Sequence, residues 1–155
     1  MKPIKIVSGG QTGADRAALD WALRHNVECG GWCPKGRKAE DGPIDPKYPL
    51  KETPAVAYIQ RTEWNVRDND ATVLFSVEST LTGGSKKTME FARKHKKPRL
   101  QLCAGENAAA DKLEAFTEEH RVKILNVAGP RASNEPGVGE FVMSTLDKAF
   151  TDIGG

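Results

Sequence analysis

The chain has 155 residues, 38% of them hydrophobic and 28% charged, with a formal net charge of +2. That length suits one domain, 1–155, with a real core, and is short for two; a mean hydropathy of -0.53 describes a soluble globular chain. No apolar run approaches the ~20 residues that span a bilayer, Met1-Lys2-Pro3 leads toward a strand instead of a signal peptide, and the charge is too mild to predict nucleic-acid binding. Cytoplasmic residence is the expectation, with no membrane or nucleic-acid partner.

Residues Ile4 to Asp15 read Ile-Lys-Ile-Val-Ser-Gly-Gly-Gln-Thr-Gly-Ala-Asp, an apolar strand, a glycine-rich turn and the start of a helix. Glycines leave no side chain between backbone amides and a ligand, and a helix N-terminus directs unpaired N–H groups at the same point. The helix runs from Asp15 to His25, with Ala18, Leu19, Ala22 and Leu23 inward and Arg16, Asp20 and Arg24 outward. A short apolar stretch, Val27 to Trp32, then leads to a loop, Pro34 to Tyr48, whose length predicts a functional or partner-bound role. Within it Lys35, Arg37 and Lys38 are placed to reach phosphate or oxo groups, and Glu40 and Asp41 to accept from a heterocycle or from those cations; a solvated charged loop is the plainer alternative.

Ala55 to Ile59 reads as a short extended segment and Thr62 to Asp68 as a short helix before the strand Ala71 to Val77. Arg61, Trp64, Asn65 and Asp68 in the dense run Gln60 to Asp70 fall on adjoining turns of a helix, a polar face that suits a pocket wall, a subunit contact or, for Trp64, the core. Ser85 to Lys96 is a helix stopped by Pro98, Arg99 to Cys103 a strand, Asn107 to Glu119 a helix with Leu113 and Phe116 inward, and Lys123 to Ala128 a strand. Val138 to Phe150 closes the series with an apolar stripe of Val138, Phe141, Val142, Thr145, Leu146, Ala149 and Phe150. His25, His95 and His120 sit near helix ends and read as dipole partners. The odd cysteine count, Cys29, Cys33 and Cys103, argues against disulfides, and without a Cys-x-x-Cys pair or His cluster no metal site is expected.

Alternating strands and helices predict an α/β protein with a mostly parallel sheet of about five strands covered by helices. Right-handed crossovers then bring three loops to the carboxyl edge: Gly9-Gly10-Gln11-Thr12-Gly13-Ala14-Asp15, Leu81-Thr82-Gly83-Gly84-Ser85, and Ala128 to Asn134 with Arg131. Their convergence predicts an anion or phosphate site, with Thr12 and Ser85 donating or capping. Neither the Gly-x-Gly-x-x-Gly order nor a P-loop lysine at the required spacing is present, which disfavours dinucleotide and Walker-type chemistry. A bulky residue at Gly10 is expected to cost ligand binding while leaving the fold largely intact.

Four motifs in order, Ser8-Gly9-Gly10-Gln11-Thr12-Gly13-Ala14-Asp15, Gly31-Trp32-Cys33-Pro34-Lys35-Gly36-Arg37, Ala39-Glu40-Asp41-Gly42 and Arg61-Thr62-Glu63-Trp64-Asn65-Val66-Arg67-Asp68, resemble the signature of the molybdenum carrier proteins. The resemblance covers nearly the whole chain. It implies a Rossmann-like three-layer sandwich, related to the Lonely Guy and DprA-type superfamily and forming a homo-oligomer (dimer or tetramer). It further implies a carrier whose bound cargo is the molybdenum cofactor, a pterin dithiolene with a terminal phosphate and an oxo-molybdenum centre. Enzymes that make or receive that cofactor would be partners. The loops suit such a ligand: N–H nests and hydroxyls for phosphate, Lys35 and Arg37 for oxygens on molybdenum, Asn65 for pterin edges.

Two alternatives stand beside it. Lonely Guy phosphoribohydrolases carry Pro-Gly-Gly-x-Gly-Thr where this chain has Thr82-Gly83-Gly84-Ser85-Lys86-Lys87, with Glu90 one helical turn on as the candidate to stabilise an oxocarbenium charge. A simple molybdate or phosphate binder is the other.

Overall fold

The computed structural model describes residues 2–151. Five strands, β1 (Lys5–Val7), β2 (Glu28–Gly30), β5 (Ala71–Ser76), β6 (Arg99–Cys103) and β7 (Ile124–Ala128), form one parallel sheet in the order β2-β1-β7-β5-β6. Two short strands, β3 (Trp32–Cys33) and β4 (Lys51–Glu52), pair in parallel beside it. Five helices, α1 (Ala14–Arg24), α2 (Tyr58–Arg67), α3 (Gly83–Lys94), α4 (Ala109–Glu119) and α5 (Val138–Phe150), flank the main sheet. α5 packs on both α1 and α4, while α2 packs on α3; right-handed crossovers put these two groups on opposite faces. The expected α/β Rossmann-like sandwich is present. Counted from β7 as the first strand, the order reads 3-2-1-4-5, that of a doubly wound dinucleotide-type sheet. The point where the winding reverses lies between β7 and β5.

The three central strands β1, β7 and β5 form where β-branched residues cluster. β5 is buried along its whole length, as a parallel central strand covered on both faces must be. Helices α4 and α5 present the expected stripes, with Leu113, Val142 and Leu146 inaccessible to solvent. On α1 the stripe is rotated from its expected setting: Trp21 is buried while Leu23 is 40% exposed. The indole N–H of Trp21 donates to Asp147 of α5 at 3.0 Å, so the large ring turns inward and takes the place next to α5.

Two local expectations are corrected. Ala55 to Ile59 is not extended, because α2 already begins at Tyr58; the Gln60 side chain reaches back to accept the Ala55 N–H at 2.8 Å and so fixes the start of the helix. The stretch Val27 to Trp32 is two strands broken at Gly31, where the chain leaves the main sheet for the small one. Gly31 has φ 128°, and a Cβ there would lie 2.2 Å from the Ser8 carbonyl oxygen. Asn65 then anchors the far side of the step, accepting the Trp32 N–H at 2.8 Å and donating to its carbonyl at 2.9 Å.

The long loop between β3 and β4 is ordered from within. Arg37 donates to the carbonyls of Ile44, Asp45, Tyr48 and Leu50, gathering the loop around one guanidinium, and Ala39, Ile44 and Tyr48 are buried beneath it. Cys29 and Cys33 are buried free thiols, as small apolar residues would be. His25, His95 and His120 occupy the C-caps of α1, α3 and α4.

The contrast between two glycines tests this account. Gly31→Ala combines a disfavoured φ with a collision against backbone and is expected to cost roughly 3 kcal/mol or more. Gly36→Ala, at φ 82° but with nothing near its Cβ position, should cost about 1–2 kcal/mol. Urea midpoints at constant m-value would rank the two.

Candidate functional site

A cavity of about 820 Å³ opens at the carboxyl edge of the sheet, where the segments following β5 and β7 part. This is the switch point at which open α/β sheets bind ligands. Its walls are residues 76–85 except Ser79, and Thr88, from the end of β5, the β5–α3 turn and α3, residues 128–137 except Ala132 from the β7–α5 loop, Tyr58, Arg61 and Thr62 from α2, and Gln11 and Asp15 from the β1–α1 turn and the start of α1. Of the residues expected from sequence, Gln11, Thr82, Gly83, Gly84, Ser85 and Arg131 line it, whereas Gly9, Gly10, Thr12, Gly13, Lys35, Arg37, Asn65 and Glu90 do not.

The reasons are specific. In the opening turn the amides that were to cradle an anion are taken by side chains of the turn itself. Gly10 N–H points to the Ser8 hydroxyl at 3.4 Å, Gln11 N–H donates to Asp15 at 3.3 Å, and Thr12 N–H donates to the Gln11 side chain at 3.0 Å. Gly10 faces the long loop: a Cβ on it would sit 2.5 Å from Leu50 and 2.9 Å from Ile44, so a bulky substituent there disturbs the fold first. Gly13 is required where the turn meets the β7–α5 loop, since its Cβ would fall 2.5 Å from the Pro130 carbonyl oxygen. Arg37 and Asn65 spend their hydrogen bonds on the backbone, as described above, and Lys35 is exposed. Glu90 lies beside Lys87 at 3.6 Å, away from the cavity.

What the cavity holds instead is a set of side-chain donors. Gln11 is only 4% exposed, and its Oε1 accepts the N–H groups of Thr12 at 3.0 Å and Glu40 at 2.9 Å. That fixes the amide orientation and leaves Nε2, buried, with no partner. Arg61 likewise has a buried Nε without a partner, while its Nη1 donates to the Thr62 hydroxyl at 3.2 Å and stands 3.6 Å from the Asp15 carboxylate. Leaving a buried donor unsatisfied costs about 1–3 kcal/mol, so each orphan marks a place for an acceptor. Burial pushes the Asp15 carboxyl above its ordinary range; the Arg61 charge and the Gln11 N–H pull against that shift.

Three cations surround one ring: Lys38 Nζ lies 4.3 Å from the Tyr58 centroid, and the guanidinium carbons of Arg131 and Arg61 lie at 5.2 and 5.4 Å. On the opposite wall α3 starts at Gly83 with no side chain capping it, so the positive end of its dipole opens onto the cavity beside buried Ser85. The Glu135 carboxylate accepts the Val77 and Glu78 N–H groups at 2.6 and 3.2 Å, securing the loop above β5. Among the described residues no group of three or more His, Cys, Asp or Glu is arranged to hold a metal ion.

Sequence reasoning did not place Tyr58 or Glu135 in the cavity. Tyr58 falls in the segment that reads as extended; Asp15 ends the first converging loop and Arg61 lies on the face that suits a pocket wall or subunit contact, but the sequence does not pair them. The pairing of a first-turn acid on α1 with an arginine on α2 needs the tertiary fold to be seen.

A Rossmann-like fold with a cavity at the switch point is the class that fold and site define. The chain belongs to the Circularly permutated YpsA SLOG family, whose model matches residues 6–150. A permuted chain agrees with the 3-2-1-4-5 order that appears when β7 is counted first. A solved structure described as a putative molybdenum carrier protein, from Syntrophus aciditrophicus SB, is 43% identical and superposes with a TM-score of 0.92, with 96% of each chain covered. No curated protein matches. No helix among the described residues is long and apolar enough to cross a membrane.

One exposed carboxylate fastens the loops around the cavity. Glu40 accepts from the Thr12 hydroxyl and from the Ser133 hydroxyl and N–H, the latter two at 2.5 and 3.2 Å, and so joins the long loop, the opening turn and the β7–α5 loop. The Ser133 and Thr12 hydrogen bonds hold its pKa below the ordinary 4.5. A depressed acid stabilises the fold above its unfolded pKa, and the contribution is lost as pH falls through the folded one. The protection factor of the Ser133 amide, its exchange relative to the intrinsic rate, should therefore fall below about pH 4.5, and Glu40→Gln should flatten that pH dependence.

Proposed function

We propose that this chain is a non-catalytic carrier that binds and shields the molybdenum cofactor, or a related anionic ligand, in the switch-point cavity. The observation that carries this reading is the convergence of unpaired buried donors, two arginines and an open helix N-terminus on one cavity of about 820 Å³. Pockets of about 300–1,000 Å³ enclose ligands of drug size, and a pterin dithiolene with its phosphate is of that size. The name of the 43% identical structure supports the same cargo.

The parts divide by chemistry. The α3 N-terminus with Gly84 and Ser85 suits the terminal phosphate, because its amides and dipole favour an anion without a counter-charge on a side chain. Arg131 and Arg61 suit oxygens that carry negative charge. The hydrolase alternative is weakened by the position of Glu90 outside the cavity. We further take 1–155 to be one ligand-binding domain that acts in the cytoplasm as a homo-oligomer. Trp64, half-buried edge-to-face against Trp32 at 4.8 Å, and the neighbouring exposed Val56 and Ile59 are candidate subunit contacts.

Protein incubated anaerobically with the cofactor should lengthen the half-life of its reconstituting activity beyond that of an albumin control. Equal decay would sink the carrier reading. Arg131→Ala should weaken retention about 10- to 100-fold, the range for losing a charged hydrogen bond, and added salt should narrow the difference between variant and parent.

A further inference from the structure

The two orphan donors of the cavity have a common neighbour, and the three groups together are selective. Asp15 is 3% exposed; its Oδ2 takes the Gln11 N–H at 3.3 Å and lies 3.6 Å from Arg61 Nη1. Gln11, Asp15 and Arg61 all line the cavity. The Gln11 amide cannot turn over without giving up the Thr12 and Glu40 N–H bonds to its oxygen, so it offers only N–H to a ligand.

We propose that Gln11, Arg61 and Asp15 form a recognition set for the amino-lactam edge of a fused pyrimidinone, the ring edge shared by pterins and guanine. Gln11 Nε2 and Arg61 Nε donate to the ring carbonyl, and the Asp15 carboxylate accepts from the ring N–H and the adjacent amino group. A carbonyl oxygen has two lone pairs, enough for both donors, and each carboxylate oxygen has capacity for a further bond. Phosphate or molybdate alone offers acceptors to Gln11 and Arg61 but sets a negative charge against Asp15. An adenine-type edge presents an amino group where the donors need an acceptor. The inference rests on the reading of this cavity as a ligand site and specifies which end of the ligand meets which wall: heterocycle on Gln11, Asp15 and Arg61, anion on α3.

The test uses pterin (2-amino-4-oxopteridine), lumazine (2,4-dioxopteridine) and guanosine 5′-monophosphate as probes of the full chain at pH 7. Fluorescence titration serves the pteridines and calorimetry the nucleotide. Lumazine replaces the amino donor by an oxygen facing Asp15, so it should bind at least tenfold more weakly than pterin; this comparison needs no variant. Gln11→Glu keeps the oxygen that the turn needs and removes the donor, and it should lower pterin affinity at least tenfold, as should Arg61→Lys. Equal affinity for pterin and lumazine, unchanged pterin affinity in both variants, or no binding of either pterin or the nucleotide would each overturn the proposal. Tighter binding of the nucleotide than of pterin would uphold the edge recognition and assign it to a guanine ligand. Failure of cofactor protection with the pterin-over-lumazine preference intact would count against the carrier reading alone.

Discussion

A carboxylate taken out of water organises this protein. Asp15 sits in the first turn of α1, where the helix dipole favours an acid, but it is also buried, and an unpaired buried charge would be costly. The Arg61 guanidinium and the Gln11 amide meet that cost from two other elements, and in doing so they hold α2 and the opening turn against α1. The Ser8 hydroxyl, on the residue that follows β1, joins the same knot by donating to the Asp15 carbonyl at 2.9 Å. The floor of the cavity is thus built from the groups that balance one charge, and its shape follows from theirs.

Around that floor the loops are fastened by side chains more than by backbone. Arg16 donates to the Gly10 carbonyl and to both oxygens of Asp41, bracing the opening turn against the long loop. The Thr12 hydroxyl, besides bonding Glu40, accepts the Ala132 N–H at 3.1 Å. Carboxylates Glu40 and Glu135 occupy donors of the cavity loops at Ser133, Val77 and Glu78, whereas the side-chain N–H groups of Gln11 and the Nε of Arg61 are left without a partner. The glycines of the turn serve these close approaches.

The sheet, its helices and the edge on which the cavity lies were legible in the sequence, because alternating apolar runs such as Ala71 to Val77 and Val138 to Phe150 carry their own period. Handed crossovers did the rest. Orientation within the motifs was not legible. Gly-rich text such as Gly9 to Gly13 reads the same whether its amides bind a ligand or a neighbouring side chain, and only the fold shows that Ser8, Gln11 and Asp15 claim them. Arg37 shows the same limit: a basic residue in a long loop suits an anion until Ile44, Asp45, Tyr48 and Leu50 turn their carbonyls toward it. Tyr58 was hidden by a helix start set through Gln60, a side-chain bond that no periodicity reveals.

The central place of β7 bears on how the chain assembles. Its hydrogen-bonded neighbours are β1, at Lys5–Val7, and β5, at Ala71–Ser76, yet β7 itself begins only at Ile124. During synthesis at about 5–20 residues per second, β1 with β2 and β5 with β6 emerge seconds ahead of the strand that joins them. Until then each half presents an unpaired strand edge that other chains could extend. The non-local pairing also sets a slow intrinsic rate of closure. The cavity, lying where the two halves meet, is accordingly among the last features to form, and a ligand that bridges its walls would favour the closed sheet over the parted one.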